Sequence, residues 1–169
     1  MVNVMNALSR LLLLVLLVVP AAFAQTSVTL SGQTASATVL AGLTLANTQV
    51  LNFGKIVTSG TPGTAVLTTA GAMSYTGGIT SAPGTATVAS FTATGTTGQA
   101  VNLTIPATIT ITGPSASTMV ITTSTDATAN PITLATGTLI FKIAGSLAVS
   151  ATQTTGAYNG TYAVTVAYN

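Results

Sequence analysis

Several residue types on which protein chemistry depends are missing from this chain. Its 169 residues include no Cys, no His and no Trp, and the single acidic residue is Asp126. Without Cys no disulfide can staple the fold, so stability must come from packed apolar side chains. Without His, Cys or Glu, most general acids, bases and activated nucleophiles are absent. The sequence therefore predicts a protein that is not an enzyme, with no catalytic residues and no cofactor.

Charge is almost as scarce as cysteine. Beyond Arg10 near the N-terminus, the charged residues are Lys55, Lys142 and Asp126. Nucleic-acid binding needs several phosphate contacts from Lys and Arg, so no nucleic-acid partner is expected. Zinc ligands are absent, and one carboxylate makes a poor calcium site, so no metal site is expected. A net charge near zero also favours association between molecules.

The N-terminal residues have the pattern of a secretory signal peptide. Arg10 precedes the apolar run Leu11–Val19, and the small-residue site Ala22–Ala24 follows. This run is shorter than the roughly 20 residues that span a bilayer, so no membrane span is expected after signal removal. The other interpretation is a membrane anchor. Residues 1–24 are predicted to be the signal peptide of a protein secreted to the extracellular space or cell surface.

The rest of the chain alternates apolar and polar residues with the period of a β-strand. The clearest runs are AVNLTIPATITIT at residues 100–112 and TLIFKIAGSLAVSA at residues 138–151. Pro106 predicts an edge, a bulge or a break between two strands, and Gly145 a bend or a close backbone approach. The stretch 36–47 has the composition of a first strand. Short strands separated by Gly- and Pro-rich turns predict an all-β sandwich or barrel.

A short stretch before this domain has its own alternation. Within residues 25–36, Val28, Leu30 and Gly32 alternate with Thr29 and Ser31. Two interpretations remain open: a flexible terminus, which is common at chain ends, or a strand with no place in its own domain. The predicted organisation is therefore a signal peptide at 1–24, an N-terminal extension at 25–36 and a β-domain at 37–169.

The chain ends in GAYNGTYAVTVAYN, residues 156–169. Tyr162, Val164, Val166 and Tyr168 alternate with small polar residues, which predicts a half-buried strand. A strand at the end of a chain becomes an open sheet edge unless another strand covers it. Natural proteins protect such edges with charges and Pro, and this chain has few of either. The pattern favours self-assembly, and the alternative is a monomer whose Thr-rich faces solvate short edges.

Several segments together resemble a known bacterial family. LNFGKIV at 51–57, GGI at 77–79, the run 89–112 and the C-terminal stretch are similar, in order and spacing, to the secreted domains called DUF4402. The resemblance extends over residues 37–169. That family looks related to the immunoglobulin-like subunits of chaperone–usher fimbriae and of spore-coat-U-type pilins. The resemblance implies an immunoglobulin-like antiparallel β-sandwich with an N-terminal donor strand in residues 25–36.

The resemblance also implies a mode of assembly. In fimbrial subunits the sandwich lacks its last strand, which a periplasmic chaperone lends and the N-terminal extension of the next subunit then replaces. Gly156, fourteenth from the C-terminus, and the penultimate Tyr168 are similar to the family pattern. The implied partners are further copies of the chain, a periplasmic chaperone and an outer-membrane usher. The candidate interface comprises Val28, Leu30, Gly32, Gly156, Tyr162, Val164, Val166 and Tyr168.

Two functions follow as hypotheses. The first is a structural subunit of a bacterial surface filament or coat, which passes through the periplasm and assembles by β-strand complementation. The second is a secreted, adhesin-like binding module that works as a monomer through loops on a rigid scaffold.

Overall fold

The computed structural model describes residues 27–169, so the predicted signal peptide lies outside the described residues. The chain divides into two units, Met1–Ala37 and Thr38–Asn169, and all of the strands belong to the second. No α-helix occurs among the described residues. The strands are β1 (Thr44–Gln49), β2 (Lys55–Leu67), β3 (Met73–Ala82), β4 (Ala89–Thr94), β5 (Ala100–Thr104), β6 (Thr108–Thr112), β7 (Thr118–Thr125), β8 (Ile132–Thr133), β9 (Thr138–Val149) and β10 (Thr165–Tyr168).

The larger sheet is organised around the long strand β9. One edge of β9 pairs first with β4 and then with β2, and the opposite edge pairs with β7. Strand β1 lies outside β4, β3 outside β2 and β6 outside β7. A smaller sheet has the order β10-β5-β8. All of these pairs are antiparallel, and the arrangement is a β-sandwich, as the sequence predicts.

Alternation along β9 builds the core. Its inward residues Phe141, Ile143, Leu147 and Val149 are all buried. Phe141 and Ile143 pack with Phe91 and Leu103, while Leu147 and Val149 belong to a second cluster toward β2 and β7. Because β9 contributes to both clusters, it joins the two halves of the domain.

Two residues that break the strand pattern have the roles predicted for them. Pro106 lies between β5 and β6, where the chain leaves one strand and begins the next. Gly145 lies where β9 approaches β7 so closely that a Cβ atom would collide with the carbonyl oxygen of Thr122. The break and the close approach both follow from the chemistry of the residue concerned.

The first strand begins later than predicted. The sequence predicts a strand over residues 36–47, whereas β1 spans Thr44–Gln49 and residues 27–43 form no strand. Val39 and Leu40 are adjacent, so the apolar alternation that a half-buried strand needs is missing there. The prediction of the N-terminal boundary of this strand was wrong for that reason.

The last strand is shorter than its alternation predicts. Strand β10 covers Thr165–Tyr168, and its register with β5 would bring Ala163 opposite Pro106. Proline has no N–H to donate, so the ladder stops there. Backbone pairing with this part of the sandwich resumes at Asn159, which forms an isolated bridge with Thr112 of β6. The whole segment 156–168 therefore follows β5 and β6, with one interruption.

Candidate assembly site

Strand β10 has a strand neighbour on one side only among the described residues. Thr165 and Ala167 face Thr104 and Asn102 of β5, and the N–H of Asn169 donates to the carbonyl oxygen of Ala100. In an antiparallel pair, alternate residues direct both backbone groups toward the partner. Because the backbone N–H of Asn169 points toward β5, the backbone groups of Ala167 and Thr165 point toward β5 too. Val166 and Tyr168 therefore direct their N–H and C=O groups away from it.

The same alternate residues direct their side chains into the sandwich. Val164 and Val166 are half-buried against the core cluster of Phe91, Leu103 and Phe141. The core is therefore incomplete where β10 ends the smaller sheet. The open side of β10 combines unpaired backbone groups with partly exposed apolar side chains, which is the arrangement that another strand would complete.

The opening continues as an apolar groove beside the segment that precedes β10. The groove has a volume of about 890 Å³. One wall is residues 51–58 and the other is residues 153–162. Its floor is made of buried core side chains from β6, β7 and β9: Ile109, Ile121, Leu147 and Val149. Since core residues form the floor, the groove is a gap between the layers of the sandwich.

Tyr162 lies in the wall of the groove and packs on the aromatic core. Its ring meets that of Phe91 edge-on, with centroids 6.4 Å apart, and Phe91 stacks on Phe141 at 5.3 Å. Burial raises the pKa of the Tyr162 hydroxyl above its ordinary value, so the side chain stays neutral at physiological pH. Tyr162 therefore presents an uncharged aromatic surface to whatever occupies the groove.

Gly156 and Tyr158 fix the position of the first part of the wall formed by residues 153–162. A Cβ atom at Gly156 would collide with the ring of Pro114, and the Gly156 φ of 144° is one that other residues rarely adopt. The Tyr158 hydroxyl lies 2.6 Å from the Ser117 hydroxyl and accepts a bond from the Gln153 amide at 2.7 Å. These contacts anchor residues 153–158 to the turn after β6, so one wall of the groove is firmly positioned.

Tyr168 makes a different contact at the far end of β10. Its hydroxyl donates to the carbonyl oxygen of Ala41 at 2.9 Å and accepts from the N–H of Thr96 at 2.7 Å. The N–H of Ala41 in turn donates to the Thr96 hydroxyl at 2.7 Å. The chain segment that enters the domain is thus clamped beside the C-terminal end of β10, whereas the groove lies beside residues 153–162.

The eight predicted interface residues fall into two groups. Gly156, Tyr162, Val164, Val166 and Tyr168 lie along one segment of the domain, and four of them share its inward face. Val28, Leu30 and Gly32 belong to the other unit and lie outside any strand. Val28 is 93% exposed and Leu30 is 77% exposed. Gly32 has a φ of 84°, in the region that favours glycine.

Sequence reasoning missed the other parts of the site. The groove floor comes from residues far apart in sequence, and its alternating pattern is that of any core strand. The clamp of Ala41, Thr96 and Tyr168 joins three chain segments through backbone groups, which carry no sequence signal. The only local signal was LNFGKIV, which supplies Leu51, Phe53 and Ile56 to the groove.

No group of three or more His, Cys, Asp or Glu side chains occurs among residues 27–169. Within the same residues, no helix has the length and apolar character of a membrane span.

Comparison with known proteins agrees with the sequence resemblance. The model of a domain of unknown function, DUF4402, matches residues 43–168, which include all ten strands of the domain. No curated protein and no solved structure matches the chain. Because the match covers most of the chain, from β1 to the end of β10, the protein belongs to the DUF4402 family.

Proposed function

We propose that this protein is a non-enzymatic structural subunit of a bacterial surface filament or coat, secreted through the periplasm and assembled by β-strand complementation. A neighbouring copy inserts Val28, Leu30 and Gly32 beside the segment Tyr162–Tyr168. The observation that supports this most directly is the open side of β10, where unpaired backbone groups and half-buried apolar side chains belong to the same residues.

The alternation of the two segments is complementary. Residues paired across a sheet place their side chains on the same face. A strand that bonds the free backbone groups of Val164 and Val166 therefore places its own bonded residues toward the core. If these are Val28 and Leu30, two exposed apolar side chains become buried and Thr29 and Ser31 remain outside. Each fully buried side chain of this size contributes about 1.5–3 kcal/mol.

The clamp at Tyr168 favours one direction for the incoming strand. Antiparallel to β10, the order is Val28 opposite Val166, Leu30 opposite Val164 and Gly32 opposite Tyr162. The smallest residue then faces the largest, and the incoming chain leaves at the groove. In the parallel direction the incoming chain leaves beside Ala41, where the acceptor's own chain already occupies the space around Tyr168. The antiparallel direction therefore gives a head-to-tail chain that can extend without closing.

A subunit with an open apolar groove needs cover before it meets its neighbour. Exposed edge strands and apolar surfaces promote aggregation. A periplasmic chaperone that lends a strand, and an outer-membrane usher that receives the subunit, are therefore part of this proposal.

The alternative is a secreted, adhesin-like module that works as a monomer. The volume of the groove, about 890 Å³, is also within the range of small-molecule sites. The tyrosines give this alternative little support, because Tyr158, Tyr162 and Tyr168 are half-buried and engaged in the packing and hydrogen bonds of the domain. The same experiment separates the two functions.

The test uses two matched pairs of substitutions in the secreted chain. One variant carries Val28→Ser and Leu30→Ser, and its control carries Thr29→Ala and Ser31→Ala on the opposite face. Electron microscopy and sedimentation measure polymer formation. We expect filaments from the unsubstituted chain and the control, and none from the Val28/Leu30 variant. Chains that still polymerise without residues 25–35 would overturn the proposed joint, and a monomer that forms no filament would favour the binding module.

Amide exchange gives a residue-level readout of the same joint. In the monomer, the N–H of Val166 is free and that of Ala167 is bonded to β5. We expect Val164 and Val166 to exchange rapidly in the monomer and to become protected in the filament, whereas Ala167 stays protected in both. Protection elsewhere, with Val164 and Val166 unchanged, would mean that filaments form through another surface.

A further inference from the structure

A second stretch of sheet edge is open in this domain, on strand β9. Strand β7 pairs with β9 from Ile121 to Thr125 and then leaves for the smaller sheet. Beyond that point residues 138–142 of β9 pair with β4 on one side only. Ile140, in the middle of this stretch, is 65% exposed. An unpaired edge with an exposed apolar side chain is a place where another strand can add.

Where β7 leaves β9, side chains form hydrogen bonds with the backbone groups of β9. The N–H of Lys142 donates to the Oδ1 of Asp126 at 2.7 Å, and the Thr125 hydroxyl donates to the carbonyl oxygen of Lys142 at 2.8 Å. Both backbone groups of Lys142 therefore point away from β4, and side chains satisfy both. By the alternation of an antiparallel strand, the groups of Ile140 point the same way, and none of the described residues bonds them from that side.

The few charged side chains of the domain are also unevenly distributed between its edges. Asp126 is the only acidic residue of the chain, and Lys142 is one of three basic residues. Both lie at this edge. The segment 156–169, which forms one wall of the groove and the open side of β10, contains no charged side chain, and Lys55 lies on the opposite wall of the groove. Charged residues on edge strands oppose strand addition, because an added strand must strip them of water.

We propose that Asp126, with Thr125, closes the β9 edge to strand addition and thereby prevents self-association through this edge. This inference deepens the proposed function and rests on it for the identity of the permitted joint. The excluded partner is the β9 edge or another open strand of a second copy. Asp126 acts as a specificity-determining residue: without its hydrogen bond, the N–H of Lys142 and the free groups of Ile140 form a continuous edge.

The experiment compares Asp126→Ala, Asp126→Asn and the control Thr128→Ala, which alters an exposed polar residue of the same loop. Each is made in the complete chain and in the chain carrying Val28→Ser and Leu30→Ser. We expect Asp126→Ala to join filaments side by side, and to associate even when the head-to-tail joint is removed. The threshold concentration for this lateral association should fall about tenfold, the effect of one charge-assisted hydrogen bond. Asp126→Asn retains a hydrogen-bond acceptor, so its threshold concentration should lie between those of the unsubstituted chain and Asp126→Ala.

Amide exchange identifies the surface involved. We expect the N–H of Ile140 to become protected in the laterally associated material and to stay exchangeable in the control. If both Asp126 variants associate as the unsubstituted chain does, the inference is overturned. If the unsubstituted chain forms no filaments, the proposed function fails, while lateral association of Asp126→Ala in the Val28/Leu30 variant still decides this inference. If Asp126→Ala lowers the melting temperature, the inference is tested with Asp126→Asn instead, by its lateral association and by the protection of its Ile140 N–H.

Discussion

Two of the open stretches of sheet edge in this domain, on β9 and on β10, differ in almost every physical property. The β9 edge at Thr138–Lys142 has Asp126 and Lys142 beside it, and side chains bond the backbone groups of Lys142. The C-terminal edge at Tyr162–Tyr168 has no charged side chain and leads into a mainly apolar groove, whose opposite wall carries Lys55. Its inward side chains are half-buried, so part of the core is exposed there.

Under the proposed mode of assembly, this difference lets a chain with very few charges control where it associates. Charged side chains protect sheet edges, but a domain whose charged residues are Lys55, Asp126 and Lys142 can protect few places in this way. The sole carboxylate lies at the edge where the core beneath is complete. At the other edge the core is incomplete, and a strand that adds there gains apolar burial as well as hydrogen bonds.

The largest expected effect comes from giving the C-terminal edge the protection that β9 has. Ala167→Lys adds a charge on the exposed face of β10 and leaves the inward residues unchanged. We expect filament formation to be lost while the domain stays folded, because the charge must be desolvated when a strand adds. Sedimentation and circular dichroism measure the two properties. The control is Thr122→Lys on β7, which has strand neighbours on both sides and should leave assembly unchanged.

The next largest effect is on the free energy of unfolding, and it differs between the buried and the exposed face of β9. Phe141 is 1% exposed, and Phe141→Ala should lower the free energy of unfolding by about 3–5 kcal/mol. The adjacent Ile140 is exposed, so Ile140→Ala should change it by less than about 0.5 kcal/mol. Denaturant unfolding of the monomer measures both. Equal losses from the two substitutions would contradict the assignment of faces along β9.

A smaller effect is expected at the clamp beside β10. Tyr168→Phe removes the hydroxyl that bonds Ala41 and Thr96, and should cost about 1–2 kcal/mol of unfolding free energy. Tyr75→Phe, on β3, serves as the control for loss of a hydroxyl. If the clamp directs the chain away from the groove, Tyr168→Phe filaments should also be more curved or irregular in electron micrographs. Straight filaments with unchanged stability would show that the clamp has no such role.

The smallest effect concerns the incomplete core. Val166→Ala removes part of a half-buried side chain, so the monomer should lose about 1 kcal/mol of unfolding free energy. In the filament the incoming strand would cover Val166, and the cost measured by filament dissociation should be larger. Equal costs in monomer and filament would indicate that this side chain is not covered by a neighbour.

Much of the fold could be predicted because strand alternation is a local property. The inward face of β9 and the break at Pro106 both follow from residue types a few positions apart. The start of β1 was misplaced because the residues before it have the composition of a strand but, with Val39 and Leu40 adjacent, not its alternation, and the strand begins where β4 provides a partner. The late start of β10 also depends on a distant residue, since the missing N–H belongs to Pro106, more than fifty residues earlier in the chain.

The candidate site divides in the same way. The alternation of Tyr162, Val164, Val166 and Tyr168 was visible in the sequence, and these residues do share one face. The groove floor, the Tyr168 clamp and the protected β9 edge were not visible. Each depends on backbone groups or on core residues that resemble those of any other strand.

The residue types and their alternation already define the class of protein: an all-β domain without disulfides, with almost no charge and with an alternating C-terminal segment. Composition and period suffice for this, because they depend on each residue and its near neighbours. Which edges are open, which backbone groups point outward and where the single acidic side chain lies follow from the fold of the whole chain. These properties depend on which strands lie side by side, and hydrogen-bonded neighbours in a sheet are chosen by the packing of the whole chain.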